Sequence, residues 1–120
     1  MVHKIWYDQA DEILYLEFTN NFLRSDVDPI LEKVKELLHE KTRRQMIIKM
    51  SSTYKVENRE TREESNKGLH KLKIQQIAFV GGSAANRMIA KVLIKTGMMK
   101  ISGDFFKNND DAINWLKSKR

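Results

Sequence analysis

Residue types that do chemistry are sparse in this chain. The three histidines, His3, His39 and His70, lie far apart. None stands one helical turn from a second histidine or a suitable carboxylate, the spacing a helix-borne metal site needs. They are expected at the surface; no metal site is expected, and no cofactor is implied. Cysteine is absent, which excludes thiol catalysis, disulfide scaffolds and thiolate-held metals. Neither a Gly-x-Ser-x-Gly elbow nor a Gly-x-x-x-x-Gly-Lys-Ser/Thr phosphate loop occurs. Glu32 with Glu36, and Glu60 with Glu64, stand one helical turn apart, but on polar faces where carboxylates are ordinarily solvated. The chain is read as non-enzymatic.

One local pattern suits an anion. Gly81-Gly82-Ser83 is followed by Ala84, Ala85, Asn86 and Arg87. Glycines at a strand-to-helix junction let backbone amides approach a negative group, which the helix N-terminus also favours. Ser83 adds a hydroxyl and Arg87 a guanidinium one turn later. A tight turn with Ser83 as N-cap explains the same residues without a ligand. Beyond the junction, Arg87, Lys91 and Lys95 recur every fourth residue as a basic stripe. Ala85, Met88, Ile89, Val92 and Leu93 form the apolar face, and Ile94 falls beside the stripe. Lys91, Ile94 and Lys95 are therefore candidates for contact with a protein partner, although snorkelling lysines flanking a wide core stripe explain the same pattern. No nucleic-acid-binding signature accompanies the stripe, so nucleic acid is not expected as the partner.

These residues must be positioned by an α/β fold. Residues 3–8 and 12–18 read as two strands of a hairpin around a polar turn; Leu14, Leu16 and Phe18 alternate with Ile13, Tyr15 and Glu17. Phe22 and Leu23 are expected to tuck inward. Ile30, Leu31, Val34, Leu37 and Leu38 make one apolar stripe of a first helix, with Asp28-Pro29 as its start and Ser25 as an earlier cap. Residues 45–50 and 74–80 are continuous apolar strands, the pattern of strands covered on both faces. Residues 51–72 hold few apolar side chains, and Gly68 weakens a helix there. They are read as a polar helix that is mobile or completed by a partner, with Glu57, Arg59 and Arg62 as candidate interaction residues. A third helix runs from the glycine junction to Lys95, with Gly97 as its stop. Residues 98–102 form a last strand, Gly103-Asp104 a turn, and Phe105-Phe106 re-enter the core. Asn108 or Asn109 caps a final helix whose charges suit the helix dipole. The order is ββαβαβαβα, a mixed sheet with an N-terminal hairpin and helices covering it.

With 120 residues, 14.1 kDa, 41% hydrophobic and 32% charged residues, one domain spanning 1–120 is expected. No apolar run approaches the roughly 20 residues that span a bilayer, and the N-terminal residues lack the apolar stretch of a secretory leader. A cytoplasmic location is expected. The net charge of +6 is split unevenly: residues 1–40 carry four bases against nine acids, and residues 41–120 eighteen against seven. Such asymmetry suits an acidic partner, or opposite faces attracting one another in a homodimer; ordinary solvating charge that averages out once the chain is folded explains it without either.

The element order and several local runs resemble the STAS family, the anti-sigma-factor-antagonist-like domains, and within it the small stand-alone bacterial branch described as STAS-like or Sec14-like. The runs are Ile13-Leu14-Tyr15-Leu16-Glu17-Phe18, the first helix, and Ile77-Ala78-Phe79-Val80-Gly81. Phe105-Phe106 followed by Asp111-Ala112-Ile113-Asn114-Trp115-Leu116 completes the set. The resemblance covers nearly the whole chain and implies a STAS-like fold and a regulatory, protein-binding role. In the family's phosphorylated regulators, which bind a partner kinase, the acceptor serine opens the helix after the third strand in an Asp-Ser-Ser-Gly-like motif. Here Val56-Glu57-Asn58-Arg59 stand at that helix start without a hydroxyl. Ser51, Ser52 and Thr53 lie earlier, and Met50 takes the place of the acid. The resemblance thus implies an interaction module that lacks the serine switch, with Ser51, Ser52 and Thr53 as the remaining candidate phosphoacceptors and Glu57 as a permanent negative charge. Its Sec14-like side implies a small anionic or amphiphilic ligand as the alternative.

Overall fold

A computed structural model describes residues 2–95 and 99–120, without the side chain of Leu93. The sheet has five strands in the order β1-β2-β3-β4-β5. β1 (Lys4–Asp8) pairs antiparallel with β2 (Ile13–Phe18) as the expected hairpin. β3 (Gln45–Met50), β4 (Gln76–Gly81) and β5 (Ser102–Phe106) then add in parallel. The element order is the predicted one, with α1 (Val27–Leu37), α2 (Arg59–Lys71), α3 (Ala84–Lys95) and α4 (Asn109–Ser118).

Alternation along the strands divides the core in two. Leu14, Leu16, Phe18, Met46, Ile48 and Ile77 face one layer, built with Val27, Ile30 and Val34 of α1 and Leu69 of α2. Ile13, Tyr15, Ile47, Ala78 and Val80 face the other, covered by Ala112 and Leu116 of α4. Strands buried on both faces explain the continuous apolar runs of β3 and β4. On the three-helix side, α1 packs against β1 and α2, and α3 against β5. The helices therefore cross that face in the order α1, α2, α3.

Several expectations are corrected. α1 begins at Val27 after a short 3-10 turn (Arg24–Asp26), so Asp28 and Pro29 sit inside its first turn, where proline is tolerated. The Asp26 carboxylate fixes this start. It accepts from the Leu23 N–H at 2.9 Å and meets His3 Nε2 at 2.9 Å. His3 is consequently buried against the edge of Phe18, not at the surface. Phe22 is buried, but Leu23 is exposed. The last strand is residues 102–106: Gly103 pairs with Ile77 within the ladder and makes no turn, and Phe105 stacks on Phe79. The expected stop at Gly97 and the start of a strand at Met98 lie outside the described residues. Asn108 caps α4 through the Asp111 N–H, as one of two expected residues.

α2 buries more than its composition promised. Asn58 caps it, accepting from the backbone N–H and the hydroxyl of Thr61, and Thr61 is fully buried. Gly68 is where α1 comes close. A Cβ there would stand 2.3 Å from Leu31 Cδ1, so the glycine serves the helix contact.

Candidate functional site

Between α2, α3 and the sheet lies an apolar cavity of about 80 Å³. Its floor is Leu16, Ile48, Ile77 and Phe79 from the strands; Phe18, Phe22, Tyr54 and Val56 close one side. Phe18 packs against both Phe22 and Tyr54, with ring centroids 4.7 and 4.8 Å apart, so aromatic contacts hold this wall. The two helices supply the mouth. α2 contributes Arg62, Ser65 and Asn66 above Leu69; α3 contributes Asn86, Ile89 and Ala90. The Asn86 side-chain amide donates to the Tyr54 carbonyl oxygen, tying α3 to the segment after β3. The Tyr54 hydroxyl is buried enough that desolvation raises its pKa well above that of an exposed phenol, with the nearby Arg62 charge opposing. It stays protonated at neutral pH.

The volume limits what fits. An engineered apolar cavity of roughly 150 Å³ takes up benzene. About half that space encloses a chain end of a few carbons and leaves the rest of a ligand in the mouth. There Arg62 is half-buried, with no ion-pair partner among the described residues. Arg62 and Asn66 also border an open groove with Arg59, Glu63, Lys67, His70 and Lys100; Glu63 pairs with Arg59, so the excess positive charge at the entrance comes from Arg62, Lys67 and Lys100. Among the described residues, those that line the cavity include no carboxylate or imidazole to serve Ser65 as a general base.

The sequence-predicted residues are brought together only in part. Gly81 and Gly82 adopt φ of +85° and +84°, and Gly82 N–H donates to the Met50 carbonyl at 2.9 Å. The Ser83 hydroxyl accepts from Asn86 N–H at 3.1 Å. Both groups are thus engaged within the chain, and the residue of this junction that reaches the cavity is Asn86, one turn on. Arg87 borders the outer surface of α3 with Ala84, Met88, Lys91, Val92 and Lys95.

Met88, Ile89 and Val92 belong to the apolar face read from the sequence, yet Met88 is 67% and Val92 53% exposed. Ile94 needs the reverse correction. It is half-buried over β5, its Cδ1 3.4 Å from where a Cβ of Gly103 would stand, so it belongs to the packing side of α3. Ile89 is 41% exposed and still borders the cavity. Glu57 accepts from the Arg24 N–H at 3.1 Å, and Arg59 pairs with Glu63 at 2.7 Å. Ser51, Ser52 and Thr53 are exposed at the end of β3, and Ser51 Oγ lies 3.3 Å from Thr53 Oγ1.

Sequence reasoning placed Arg62 on an interaction surface and missed Ser65, Asn66, Asn86 and Tyr54. A signal was present. Arg62, Ser65, Asn66 and Leu69 follow the i, i+3, i+4, i+7 spacing of a buried face, with polar side chains at three of its positions.

Among the described residues, no group of three or more His, Cys, Asp or Glu gathers as metal ligands. No described helix is long and apolar enough to cross a membrane.

A hairpin-led mixed sheet with three helices on one face and one on the other is a SpoIIAA-like, that is STAS-like, fold. The chain belongs to the family described as a domain of unknown function, DUF7793, which it matches over residues 5–120. A crystal structure with the same fold is an uncharacterised DUF3478-family protein from Shewanella loihica PV-4, described as SpoIIAA-like. The two share 17% identity with a TM-score of 0.65, over 96% of this chain and 92% of that one. No curated protein matches the sequence.

Proposed function

We propose that this STAS-like module is a non-enzymatic binder of a small amphiphile, with an apolar chain end in the cavity and an anionic head at Arg62. Arg62 carries the reading. A half-buried guanidinium without an ion-pair partner beside an apolar cavity is costly, and a carboxylate or phosphate head offsets that cost with charge-assisted hydrogen bonds. Asn66, Ser65 and Asn86 add neutral donors beside it. This moves the expected anion site from Gly81-Gly82-Ser83 and Arg87 to the mouth between α2 and α3. The lack of a base beside Ser65 supports the non-enzymatic reading, and an amide cap at Asn58 supports a module without the serine switch.

The test is calorimetric titration with octanoate, and with octanol as the neutral control. Octanoate binding should weaken at least about tenfold in Arg62→Gln, as loss of a charged hydrogen bond worth roughly 1.5–3 kcal/mol implies. Octanol should bind weakly and ignore that change. Ala90→Leu, which fills the cavity from α3, should remove binding of both. Octanoate heats that persist unchanged in both variants would overturn the reading. A second reading, a protein-interaction module, is favoured by the exposed apolar and basic residues of α3.

A further inference from the structure

The three-helix face carries its charge in bands. On α1, Asp28, Glu32 and Glu36 recur every fourth residue and all are exposed. On α3, Arg87, Lys91 and Lys95 do the same, flanking exposed Met88 and Val92. The positive band is not local to α3. From residue 65 to residue 103 the sequence has seven lysines and arginines and no acid. α1 also carries Lys33, paired with Glu36 at 3.6 Å, and exposed Lys35, so its acidic band is carried chiefly by Asp28 and Glu32; between the bands, α2 is mixed, with Arg59 paired to Glu63.

We propose that this face is a self-complementary docking surface for a second copy of the chain. A two-fold axis that lies over α2 and runs along the helices sets α3 of each copy on α1 of the other, so positive meets negative twice. The cations of α3 then lie along the acids of α1 in the second copy, in the same N-to-C direction, with Lys91 and Glu32 the middle member of each band. Pro29, exposed on α1, is the apolar counterpart of Met88. The alternative stacking, with the axis across the helices, puts like bands together and is disfavoured. This negative selection fixes one orientation.

The observations favour a second copy over an anionic membrane. A helix lying in a lipid interface carries bases on both shoulders of its apolar strip. On α3 all three cations border one shoulder, and the other, at Ala85 and Ile89, is uncharged. Three helices of 11, 13 and 12 residues offer a layer of roughly 18 by 30 Å. At roughly 1,100 Å² for the two copies together, that falls just below the range of stable interfaces and among the weak, transient ones, so the dimer should form at micromolar concentration and weaken with salt. The proposal does not depend on the ligand reading, although the cavity mouth lies under the same face.

Sedimentation velocity of the full chain at about 1 to 100 μM tests it. A dimer is expected at about 0.05 M salt and a largely monomeric protein at about 0.5 M. Glu32→Lys and Lys91→Glu should each weaken dimerisation at least about tenfold. The double variant Glu32→Lys/Lys91→Glu should restore it, because each swapped residue then meets its opposite in the other copy. Thermal melts of these surface variants confirm that they fold. A monomer throughout overturns the proposal, as does a dimer indifferent to both single swaps or a double variant that fails to recover. Co-sedimentation of a monomer with phosphatidylglycerol vesicles, lost in Lys91→Glu, would assign the face to a membrane and overturn it equally.

Discussion

At Gly81 and Gly82 the same residue type answers two different demands. Both have positive φ, a region that costs an L-residue roughly 1–2 kcal/mol. Only Gly81 also lies against backbone: a Cβ there would meet the Met50 carbonyl oxygen at 2.2 Å, whereas at Gly82 its nearest neighbour is Met50 Cε at 3.3 Å. Gly82→Ala should therefore cost about 1 kcal/mol, and Gly81→Ala about 2 kcal/mol or more, because the end of the β3–β4 ladder, where Gly81 pairs with Met50, must also move. Urea unfolding of both variants checks the order. The glycine pair is accounted for by the close of the parallel ladder, which the sequence showed equally as an anion loop. Arg62 is the opposite case. Its position on a polar helix was legible, but its placement beside a cavity depends on Phe79, Ile77 and Leu16, residues of other elements that periodicity within α2 cannot place.

At the scale of elements, α2 stands apart from α1. α1 sets Val27, Ile30 and Val34 in the core, and α2 sets Thr61 and Leu69. Burial of apolar side chains contributes most of a helix's stability in a protein. Amide hydrogen exchange should accordingly be faster across α2 than across α1, by sub-global opening. Slowest exchange in α2 should be near Thr61, where Asn58 holds the first turn. Equal protection of the two helices would show that the Asn58 cap and the Gly68–Leu31 contact compensate for the missing apolar surface. A looser α2 also bears on binding, since it forms half of the cavity mouth. α3 shows the limit of pattern reading at this scale. Its apolar residues span most of the helix, so the sequence could not say which would face the sheet. Packing chose Ala90 and Ile94, because β5 presents Gly103 and Phe105 there and leaves room for them.

For the whole molecule, ligand binding and stability are linked. A ligand that binds only the folded chain adds about 1.4 kcal/mol at ten times its dissociation constant. For a chain of this length that corresponds to a rise in melting temperature of about 5 °C. Octanoate at that level should produce the rise in the native chain and not in Ala90→Leu, as followed by circular dichroism. The alkaline limit of stability belongs to the same scale. Tyr7, Tyr15 and Tyr54 all have pKa values raised chiefly by desolvation. A raised folded-state pKa leaves their contribution intact below the unfolded phenol value and removes it as pH rises above that value.

What the sequence determined by itself was the order of elements, the hairpin and the two-sided burial of β3 and β4. These follow from local alternation, continuous apolar runs and caps such as Asn108, all of which are written within a few residues. The tertiary structure decided the rest. It buried His3, because Asp26 and Phe18 surround it from elsewhere in the chain. It placed the last strand at Ser102–Phe106, because Phe105 stacks on Phe79 and Gly103 pairs beside Ile77. It gathered Arg62, Asn66, Asn86 and Tyr54 around one cavity from three separate segments. Spacing along a chain reports which side chains share a face; which faces meet is set by how the helices cross the sheet.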